Sequence, residues 1–545
     1  MQQTCKNCQS NFDIFDRDKV FYEKINVPLP TLCPTCRQQK RAAFRNENNL
    51  YHDSCDKTGK AIISMYKPES KVRVYAPDVW WSDNWDSMDY GRDFDFSRPF
   101  FEQFKELQAL VPRLALYQKK CENSDFSNHV DSTKNAYLCA DTAFSEDTLF
   151  SKWIISCRDL VDCYQLEKSE LCFQSLYSVG AHNAKYIYLA DNSVDADFLY
   201  NCKNVRNSVM CWNLRNKQHH IKNQPYSKEE YERLLQNYDT GSYKNLKNYI
   251  QKYQELRAQA IRKPAELINC EDCTGDYLYN CKNVHQSFGC IKSWDSSYCY
   301  DSAELKDCFD TYEAGFNCEL QYESHACNRG QSLIACSISY DVNNCSYCEM
   351  CHNSSSLFGC IGVRHKQYCI LNKQYTKEEY ESLVPRIIEH MRKTGEWGEF
   401  LPIELSFFSY NESAATEFVP MNREQVLAKG WQWYEPQKEF RPQTYQIPDH
   451  IKDASDSITK EVLACKSCGR NYNVIIQELA FYRKHNLPIP RKCQNCRYHD
   501  RLKSRNPYKL YHRKCQKCST DIQTTYEPDK PETVYCEKCY LETVY

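Results

Sequence analysis

Strand-forming and turn-forming residues alternate most regularly in the middle of the 545-residue chain, and cysteine marks the interval. From Cys281 to Cys369, cysteine recurs at steps of nine residues, apart from one step of ten and one of six. A fixed short period over about ninety residues is typical of repeat architectures. Nine residues accommodate one short strand and one turn. Two such units therefore predict a parallel β-solenoid with coils of about 18 residues.

The regular cysteines have two interpretations. Equivalent thiols in successive parallel coils would lie about 4.8 Å apart, as a ladder that could bind metal or take part in redox chemistry. Alternatively, they are small buried side chains that fit a narrow interior. The run Cys345-x2-Cys348-x2-Cys351 is similar to part of an iron–sulfur ligand pattern but lacks its final Cys-Pro. Packing is favoured because alanine replaces cysteine at Ala181 and Ala190 in the first half of the repeat.

The solenoid is predicted in two halves that align at an offset of 149 residues. Each half ends in a capping box, Ser227 with Glu230 in the first and Thr376 with Glu379 in the second. An N-cap hydroxyl followed by glutamate at the third helical position predicts that a helix follows each solenoid half. An apolar stripe from Leu246 to Leu256 predicts a second helix after the first half.

Both ends of the chain have Cys-x2-Cys pairs separated by 24 residues. Two such knuckles supply four thiolates to one tetrahedral ion and leave no open position, which predicts a structural zinc site. The two ends also align without gaps at an offset of 460 residues, so one module occurs twice. The predicted ligand sets are Cys5, Cys8, Cys33 and Cys36; Cys465, Cys468, Cys493 and Cys496; and Cys515, Cys518, Cys536 and Cys539.

Each module has an inner half, which contains the two Cys-x2-Cys pairs 24 residues apart, and an outer half that follows it in the chain. The two copies differ in the outer half. The N-terminal copy retains only Cys55 where the C-terminal copy has its second set of four cysteines. One thiolate cannot hold zinc, so three structural zinc ions are expected rather than four. Trp80, Trp81 and Trp85 follow directly and are predicted to supply the missing core.

The modules resemble a known family. Residues 4–45 and 464–505 share the pattern C-x2-C, F-Y, P-x2-C-x2-C-R, and with the segment YGRDFDFSRPFFEQF the chain is similar to large cysteine-rich zinc-ribbon proteins from uncultured small-genome bacteria. The resemblance implies zinc binding and implies no particular activity.

Charge is unevenly distributed although the net charge is only −2. Between Thr459 and Cys518 there are fifteen Lys and Arg against three acidic residues. Basic residues interleaved with tyrosines on a rigid module predict nucleic-acid binding, with RNA favoured. The alternatives are an acidic protein surface, including the solenoid of the same chain, and simple neutralisation of the zinc clusters. The candidate residues are Arg491, Lys492, Arg497, Arg501, Lys503, Arg505, Lys509, Arg513, Lys514, Tyr498, Tyr508 and Tyr511.

No motif for nucleophilic, metal-dependent or nucleotide-dependent catalysis is present, so no catalytic residue is assigned. The favoured function is a non-enzymatic zinc-binding scaffold that binds nucleic acid. The second is a protein-interaction scaffold, and the third is a solenoid-type carbohydrate hydrolase or lyase. The chain shows no signal peptide and no long apolar run, which predicts a cytoplasmic protein with reduced cysteines and no membrane partner. Its oligomeric state is left open.

The predicted fold class is mostly β with helical insertions: a cysteine-ladder parallel β-solenoid flanked by zinc-ribbon or treble-clef-like modules. The predicted segments are 1–58, the N-terminal zinc module; 59–116, its degenerate second half with a connector helix; 117–226 and 265–375, the solenoid halves; 227–264, a helical insertion; 376–395, an exit helix; 396–458, an irregular linker; and 459–545, the C-terminal double zinc module.

Overall fold

A computed structural model describes residues 1–310, 318–322, 331–435 and 440–545. The chain forms two compact units. One contains the second solenoid segment and the N-terminal cysteine module, and the other contains the first solenoid segment and the C-terminal cysteine module. Unit 1 comprises Met1–Leu116, Ala265–Glu435 and Pro507–Leu510, and unit 2 comprises Tyr117–Pro264, Pro436–Asn506 and Tyr511–Tyr545.

Both solenoid segments are parallel, as predicted, but their coils are shorter than predicted. Lys152 pairs with Tyr164, and Arg158 pairs with Glu170, so equivalent positions recur at every twelfth residue. The same register relates Lys282 to Trp294 in unit 1. The predicted coil of two nine-residue units is therefore wrong. Each twelve-residue coil usually contributes two short strands, one to each of two parallel ladders.

A left-handed backbone conformation at every third residue explains this short coil. In unit 2, φ is about +50° to +60° at Asp141, Phe144 and Asp147 and continues at the same interval along the segment. A left-handed residue bends an extended chain, so each coil is divided into four three-residue sides. Side chains other than glycine adopt this conformation at some cost, and Asn and Asp adopt it most readily. Both are frequent at these positions, as at Asn183 and Asn192.

Except near the ends of the segments, the residue after each left-handed position points into a narrow interior and is buried. Serine there satisfies the backbone: Ser151 Oγ donates to the Leu149 carbonyl at 2.8 Å and accepts from the Cys163 amide at 3.0 Å. A coil this small leaves room only for Ser, Thr, Ala, Cys and the smaller aliphatic residues. The apolar interior of unit 2 includes Ile154, Cys157, Leu160, Cys163, Leu166, Cys172, Ala184, Ile187, Ala190, Leu199, Cys202, Val205 and Cys211.

The regular cysteines belong to this interior but do not form the predicted ladder of equivalent thiols. Positions nine residues apart lie on neighbouring sides of successive coils, and Cys163 Sγ donates to the Cys172 carbonyl at 3.5 Å. Cys351 Sγ makes the same contact with the Cys360 carbonyl at 3.4 Å. Burial raises the pKa of Cys163 to about 12, so the thiol stays protonated. Cys327 and the side chain of Cys318 lie outside the described residues.

The strands of the unit 2 segment are Gln118–Lys119, Asn128–Asp131, Ala140–Ala143, Glu146–Leu149, Lys152–Ile155, Arg158–Val161, Tyr164–Glu167, Glu170–Phe173, Leu176–Val179, His182–Lys185, Tyr188–Asp191, Val194–Lys203, Arg206–Trp212, Gln218–Ile221 and Gln224–Pro225. Those of the unit 1 segment are Leu267–Ile268, Gly275–Asp276, Leu278–Tyr279, Lys282–His285, Ser287–Ile291, Trp294–Ser297, Tyr300–Ala303, Leu305–Lys306, Cys318–Tyr322, Gln331–Ile334, Tyr340–Ser346, His352–Phe358, Gln367–Ile370 and Lys373–Gln374. The modules add antiparallel pairs Gln2–Thr4 with Asn11–Asp13, Tyr51–Ser54 with Ala61–Ser64, Leu463–Ala464 with Asn471–Tyr472, and Tyr511–Lys514 with Asp521–Thr524, and unit 1 also pairs Val74–Tyr75 with Arg113–Leu114.

The helices are α1 (Asp16–Lys24), α2 (Pro34–Ala42), α3 (Pro77–Trp80), α4 (Phe100–Leu110), α5 (Lys228–Leu235), α6 (Tyr243–Arg257), α7 (Lys377–Thr394), α8 (Ala415–Phe418), α9 (Arg423–Ala428), α10 (Ile476–Lys484), α11 (Gln494–Leu502) and α12 (Glu537–Val544). Both predicted capping boxes are present, at the start of α5 and of α7. Among the helices of the described residues, none has the length and apolar character needed to cross a membrane.

Candidate metal centres and their docking on the solenoid

The described residues contain three groups of four cysteines whose Sγ atoms lie within 4.8 Å of one another. They are the three predicted ligand sets, one in unit 1 and two in unit 2. In every group the second knuckle opens a helix, with Cys33, Cys493 and Cys536 at the N-caps of α2, α11 and α12. A helix N-terminus stabilises the thiolate form that binds metal.

The spacing of the sulfur atoms fits a tetrahedral metal site. The distance between Sγ atoms is 3.7 Å for Cys8 and Cys33 and 3.6 Å for Cys518 and Cys536. A regular tetrahedron with metal–sulfur bonds of about 2.3 Å has sulfur–sulfur edges of about 3.8 Å. A disulfide would need about 2.05 Å. Each tetrad can therefore hold one metal ion with four thiolates, and none leaves a position for substrate or water.

Backbone amides around the tetrads favour ionised sulfur. Burial alone would raise the pKa of Cys515, but amide groups of Cys536, Cys518 and Lys517 outweigh it and lower the pKa to about 6. The same balance lowers the pKa of Cys465 to about 6. Burial raises the pKa of Cys539 to about 12, so the backbone amides favour ionisation of the first sulfur of each C-terminal tetrad and not of every ligand.

The degenerate half of the N-terminal module keeps the knuckle backbone without the ligands. The Ala76 amide donates to Cys55 Sγ at 3.3 Å, in the place where the Cys536 amide faces Cys515. Trp80 is fully buried and Trp85 is nearly so, which confirms their predicted core role. Trp81, predicted to join them, is instead 39% exposed.

Aligned aromatic residues attach this outer half to the solenoid in both units. In unit 1, the guanidinium of Arg364 lies 5.4 Å from the centre of the Trp80 ring. In unit 2, Arg215 Nη2 donates to the hydroxyl of Tyr540, the residue aligned with Trp80, at 2.9 Å. An arginine–aromatic contact is therefore present both in unit 2, where the outer half has a cysteine tetrad, and in unit 1, where it does not.

The inner half of each module docks through a buried aspartate of the solenoid. In unit 2, Asp162 is fully buried and lies 2.8 Å from Arg497 Nε and 2.7 Å from Arg501 Nη1. Arg497 also lies 3.4 Å from Glu478, a buried residue of α10. Phe173 of the solenoid packs against the ring of Tyr482. Charge and apolar contact therefore combine at one interface.

Unit 1 repeats this arrangement with its own residues. Asp310 is fully buried and lies 2.5 Å from Arg37 Nε and 3.4 Å from Arg41 Nη2, both on α2. Phe21 stacks on Phe309 of the solenoid with ring centres 3.9 Å apart. Because these arginines align with Arg497 and Arg501, the two modules dock in the same way.

The structure separates the residues predicted to bind nucleic acid. Arg491, Arg497 and Arg501 are buried, and the last two cannot reach a phosphate without leaving Asp162. Arg505 Nη1 donates to the Tyr164 hydroxyl at 3.0 Å. Much of the predicted basic patch therefore contributes to docking within unit 2.

The other candidates are mostly engaged in local contacts. Lys492 pairs with Asp500 at 2.6 Å and Lys514 with Asp521 at 2.9 Å. Arg513 donates to two backbone carbonyls, and Tyr511 donates to Glu527. Tyr508 and Lys509 belong to unit 1, where the Tyr508 hydroxyl donates to Asp301 at 2.6 Å. Tyr498 is half-buried, and Lys503 is exposed near Asp500.

Sequence analysis did not identify Asp162 and Asp310 as docking residues. The available signal was the aligned pair of arginines four residues apart on one helix in both modules. Such a pair on the face next to a metal knuckle requires a buried carboxylate partner when the helix packs on another surface.

One exposed groove of unit 2 contains stacked charged residues. Glu146, Arg158 and Glu170 occupy equivalent positions in successive coils. The hydrogen bond from Arg158 lowers the pKa of Glu170. A general acid needs the opposite shift, so Glu170 does not suit that role.

No protein-family profile matches the chain, and no curated protein sequence matches it. The geometry of the tetrads and of the docking contacts is therefore what indicates a metal-binding scaffold.

Proposed function

We propose that the protein is a non-enzymatic, zinc-dependent scaffold. Zinc folds the cysteine modules, and the modules support the solenoid segments as rigid surfaces for partner proteins. The observation that supports this proposal best is the pair of buried aspartates, Asp162 and Asp310, each holding two module arginines. Arginines used in this way brace the fold and are unavailable to a ligand. A reducing compartment such as the cytoplasm would keep the interior thiols and the tetrads reduced.

Zinc is proposed because of the donor set. Four thiolates in a tetrahedral arrangement suit zinc, and a closed site with no exchangeable position suits a structural ion. Iron also accepts four thiolates, so the metal has to be measured.

The test is metal analysis of the purified full-length protein by mass spectrometry, with release of zinc followed by a colorimetric chelator. We expect three zinc ions per chain and no stoichiometric iron. Stripping the metal should increase hydrogen exchange first at α2, α11 and α12, because each helix begins at a ligand. Exchange at these helices that is unchanged after complete metal removal would contradict a zinc-dependent scaffold.

Nucleic-acid binding is a second candidate, supported by the exposed lysines of the C-terminal module. The side chains of Lys503 and Lys514 are 79% and 68% exposed. We expect the affinity for mixed RNA to fall steeply with salt, because lysine–phosphate contacts release counterions. Replacing Lys503 and Lys514 by Ser should reduce the salt slope, whereas replacing exposed Lys228 on α5 should not. A wild-type protein that binds neither RNA nor duplex DNA in low salt would exclude this candidate.

A further inference from the structure

A cavity of about 650 Å³ lies within unit 2, between the solenoid, helix α6 and the second knuckle of the inner metal module. Phe173 and Tyr186 line it from the solenoid, Tyr243 and Ile250 from α6, and Arg491 from the knuckle. Its size falls in the range of small-molecule sites, about 300–1,000 Å³. The lining is largely aromatic and aliphatic, with polar groups concentrated beside the knuckle.

The charged residues of the lining give the cavity a positive excess. Six cationic residues line it against one acidic residue, Asp500. Asp162 compensates Arg497 and Arg501, and Asp500 compensates Lys492. The remaining cations, Lys247, Arg257 and Arg491, form no ion pair among the described residues, and the Asp449 carboxylate, which accepts from the Ser242 hydroxyl, acts on Arg491 only at longer range.

Arg491 is the most unusual of these groups. Its side chain is 8% exposed, and Nη2 donates to the Pro448 carbonyl at 2.6 Å. Nη1 is buried and has no hydrogen-bond partner in the part of the chain that the structure describes. Leaving a buried charged donor unsatisfied costs more free energy than leaving a neutral one. An anion in the cavity would remove that cost through a charge-assisted hydrogen bond.

The walls next to Arg491 suit a flat ligand body. The Arg491 guanidinium lies 4.8 Å from the centre of the Tyr243 ring, which fixes its orientation. Tyr186 and Tyr253 extend the aromatic surface. Three cations without an ion pair, one of them buried, one half-buried and Lys247 exposed at the rim, favour a dianionic phosphate over a single carboxylate.

We propose that this cavity binds a small phosphorylated molecule with an aromatic body, of the mononucleotide class, with its phosphate at Arg491. The site is specific to unit 2. In the N-terminal module the position aligned with Arg491 is Thr31, whose hydroxyl donates to Glu399 at 2.6 Å. An acidic neighbour there would repel a phosphate. Such a ligand would bind the scaffold independently of its partner proteins.

The test uses the full-length, zinc-loaded protein and isothermal titration with AMP, GMP, CMP and UMP. Adenosine and inorganic phosphate are titrated separately as the two parts of the ligand. We expect saturable binding of at least one mononucleotide, at one per chain, and tighter than binding of either part. Absence of saturable binding for all four mononucleotides would overturn the proposal.

Two variants locate the site. Arg491→Met should weaken binding about 10- to 100-fold, the value of one charge-assisted hydrogen bond. Ile250→Trp fills the cavity from α6 without changing charge and should abolish binding. Lys228→Gln, an exposed lysine of α5 in the same unit but outside the cavity, is the matched control and should bind like the wild type. Unchanged zinc content and melting temperature exclude misfolding, and wild-type affinity in folded Ile250→Trp would place the ligand elsewhere and refute the proposal.

Discussion

In both units a cysteine module docks on a solenoid segment in the same way, but the outer halves of the two modules differ. In both, a module helix sets two arginines on a buried solenoid aspartate, Asp162 in unit 2 and Asp310 in unit 1. In unit 2 the outer half of the module contains a second cysteine tetrad. In unit 1 that half retains Cys55 alone and buries Trp80.

The difference shows which contacts are interchangeable. A metal ion and a buried tryptophan can both hold a knuckle-like loop, because either one gives a small module a core that its short strands cannot provide. The aspartate–arginine contact is present in both units, which identifies docking as the common requirement.

The largest effect should come from removing a ligand in unit 2. Cys536→Ser should lower the metal content from three ions to two and unfold residues around α12. Structural zinc contributes about 10–16 kcal/mol in small zinc modules. Cys55→Ser in unit 1 should cost about 1 kcal/mol and leave the metal content unchanged. Metal analysis and local hydrogen exchange measure both effects.

The reciprocal control restores the ligands of unit 1. The variant Thr58→Cys, Ala76→Cys and Val79→Cys, together with Cys55, should bind a fourth ion because the Ala76 amide already faces the Cys55 sulfur. A folded variant that still holds three ions would show that the buried tryptophans have displaced the knuckle geometry.

Next in size is the loss of the docking carboxylate. Asp310→Asn leaves Arg37 and Arg41 buried without an ion-pair partner among the described residues, since the buried Asp18 acts on Arg37 only at longer range, and should cost about 3–5 kcal/mol. The free-energy cost of Asp162→Asn should be smaller than that of Asp310→Asn by about 1 kcal/mol, because Arg497 still has Glu478 as a partner at 3.4 Å. Denaturant unfolding at pH 8, above the pKa of about 7 for Glu478, followed by exchange at α2 and α11, distinguishes the two. Equal costs would mean that Glu478 does not support Arg497.

A pH effect should be specific to Glu478. Burial raises its pKa from the ordinary 4.5 to about 7, so its proton binds more tightly in the folded state. That contribution to stability is complete below pH 4.5 and is lost as the pH rises through 7. Wild-type stability relative to Glu478→Gln should therefore fall across this window, at up to about 1.4 kcal/mol per pH unit. A constant difference across the same window would contradict the shift.

The smallest effect should come from the solenoid interior. Cys172→Ala should cost about 1 kcal/mol, because alanine already occupies neighbouring interior positions such as Ala184 and Ala190. The metal content should stay at three. A lost ion in this variant, or in Cys290→Ala of unit 1, would restore a metal role for interior thiols.

Local sequence signals predicted much of the molecule. The Cys-x2-Cys pairs predicted the three tetrads, because ligand spacing is set within a few residues of backbone. The capping boxes predicted the starts of α5 and α7 for the same reason. The parallel solenoid followed from the periodicity, since a short fixed repeat has few other ways to bury its apolar positions.

The irregular steps between cysteines contain information about the coil length. Steps of nine and six are both multiples of three, which matches an interior position at every third residue. The single step of ten, from Cys308 to Cys318, coincides with a coil that is longer by one residue and pairs Leu305 with Cys318. A nine-residue interval alone does not distinguish the longer predicted coil from the shorter one that the structure shows.

Sequence by itself determined the repeat, the helix starts and the metal ligands, because each depends on residues close together in the chain. Tertiary structure decided the use of the basic residues. Arg497 and Arg501 look like phosphate ligands in the sequence, yet the buried Asp162, from a distant part of the chain, holds both. It also decided the cavity at Arg491, whose walls come from three separate segments. Charge is a local property of sequence, whereas the partner of that charge is set by packing.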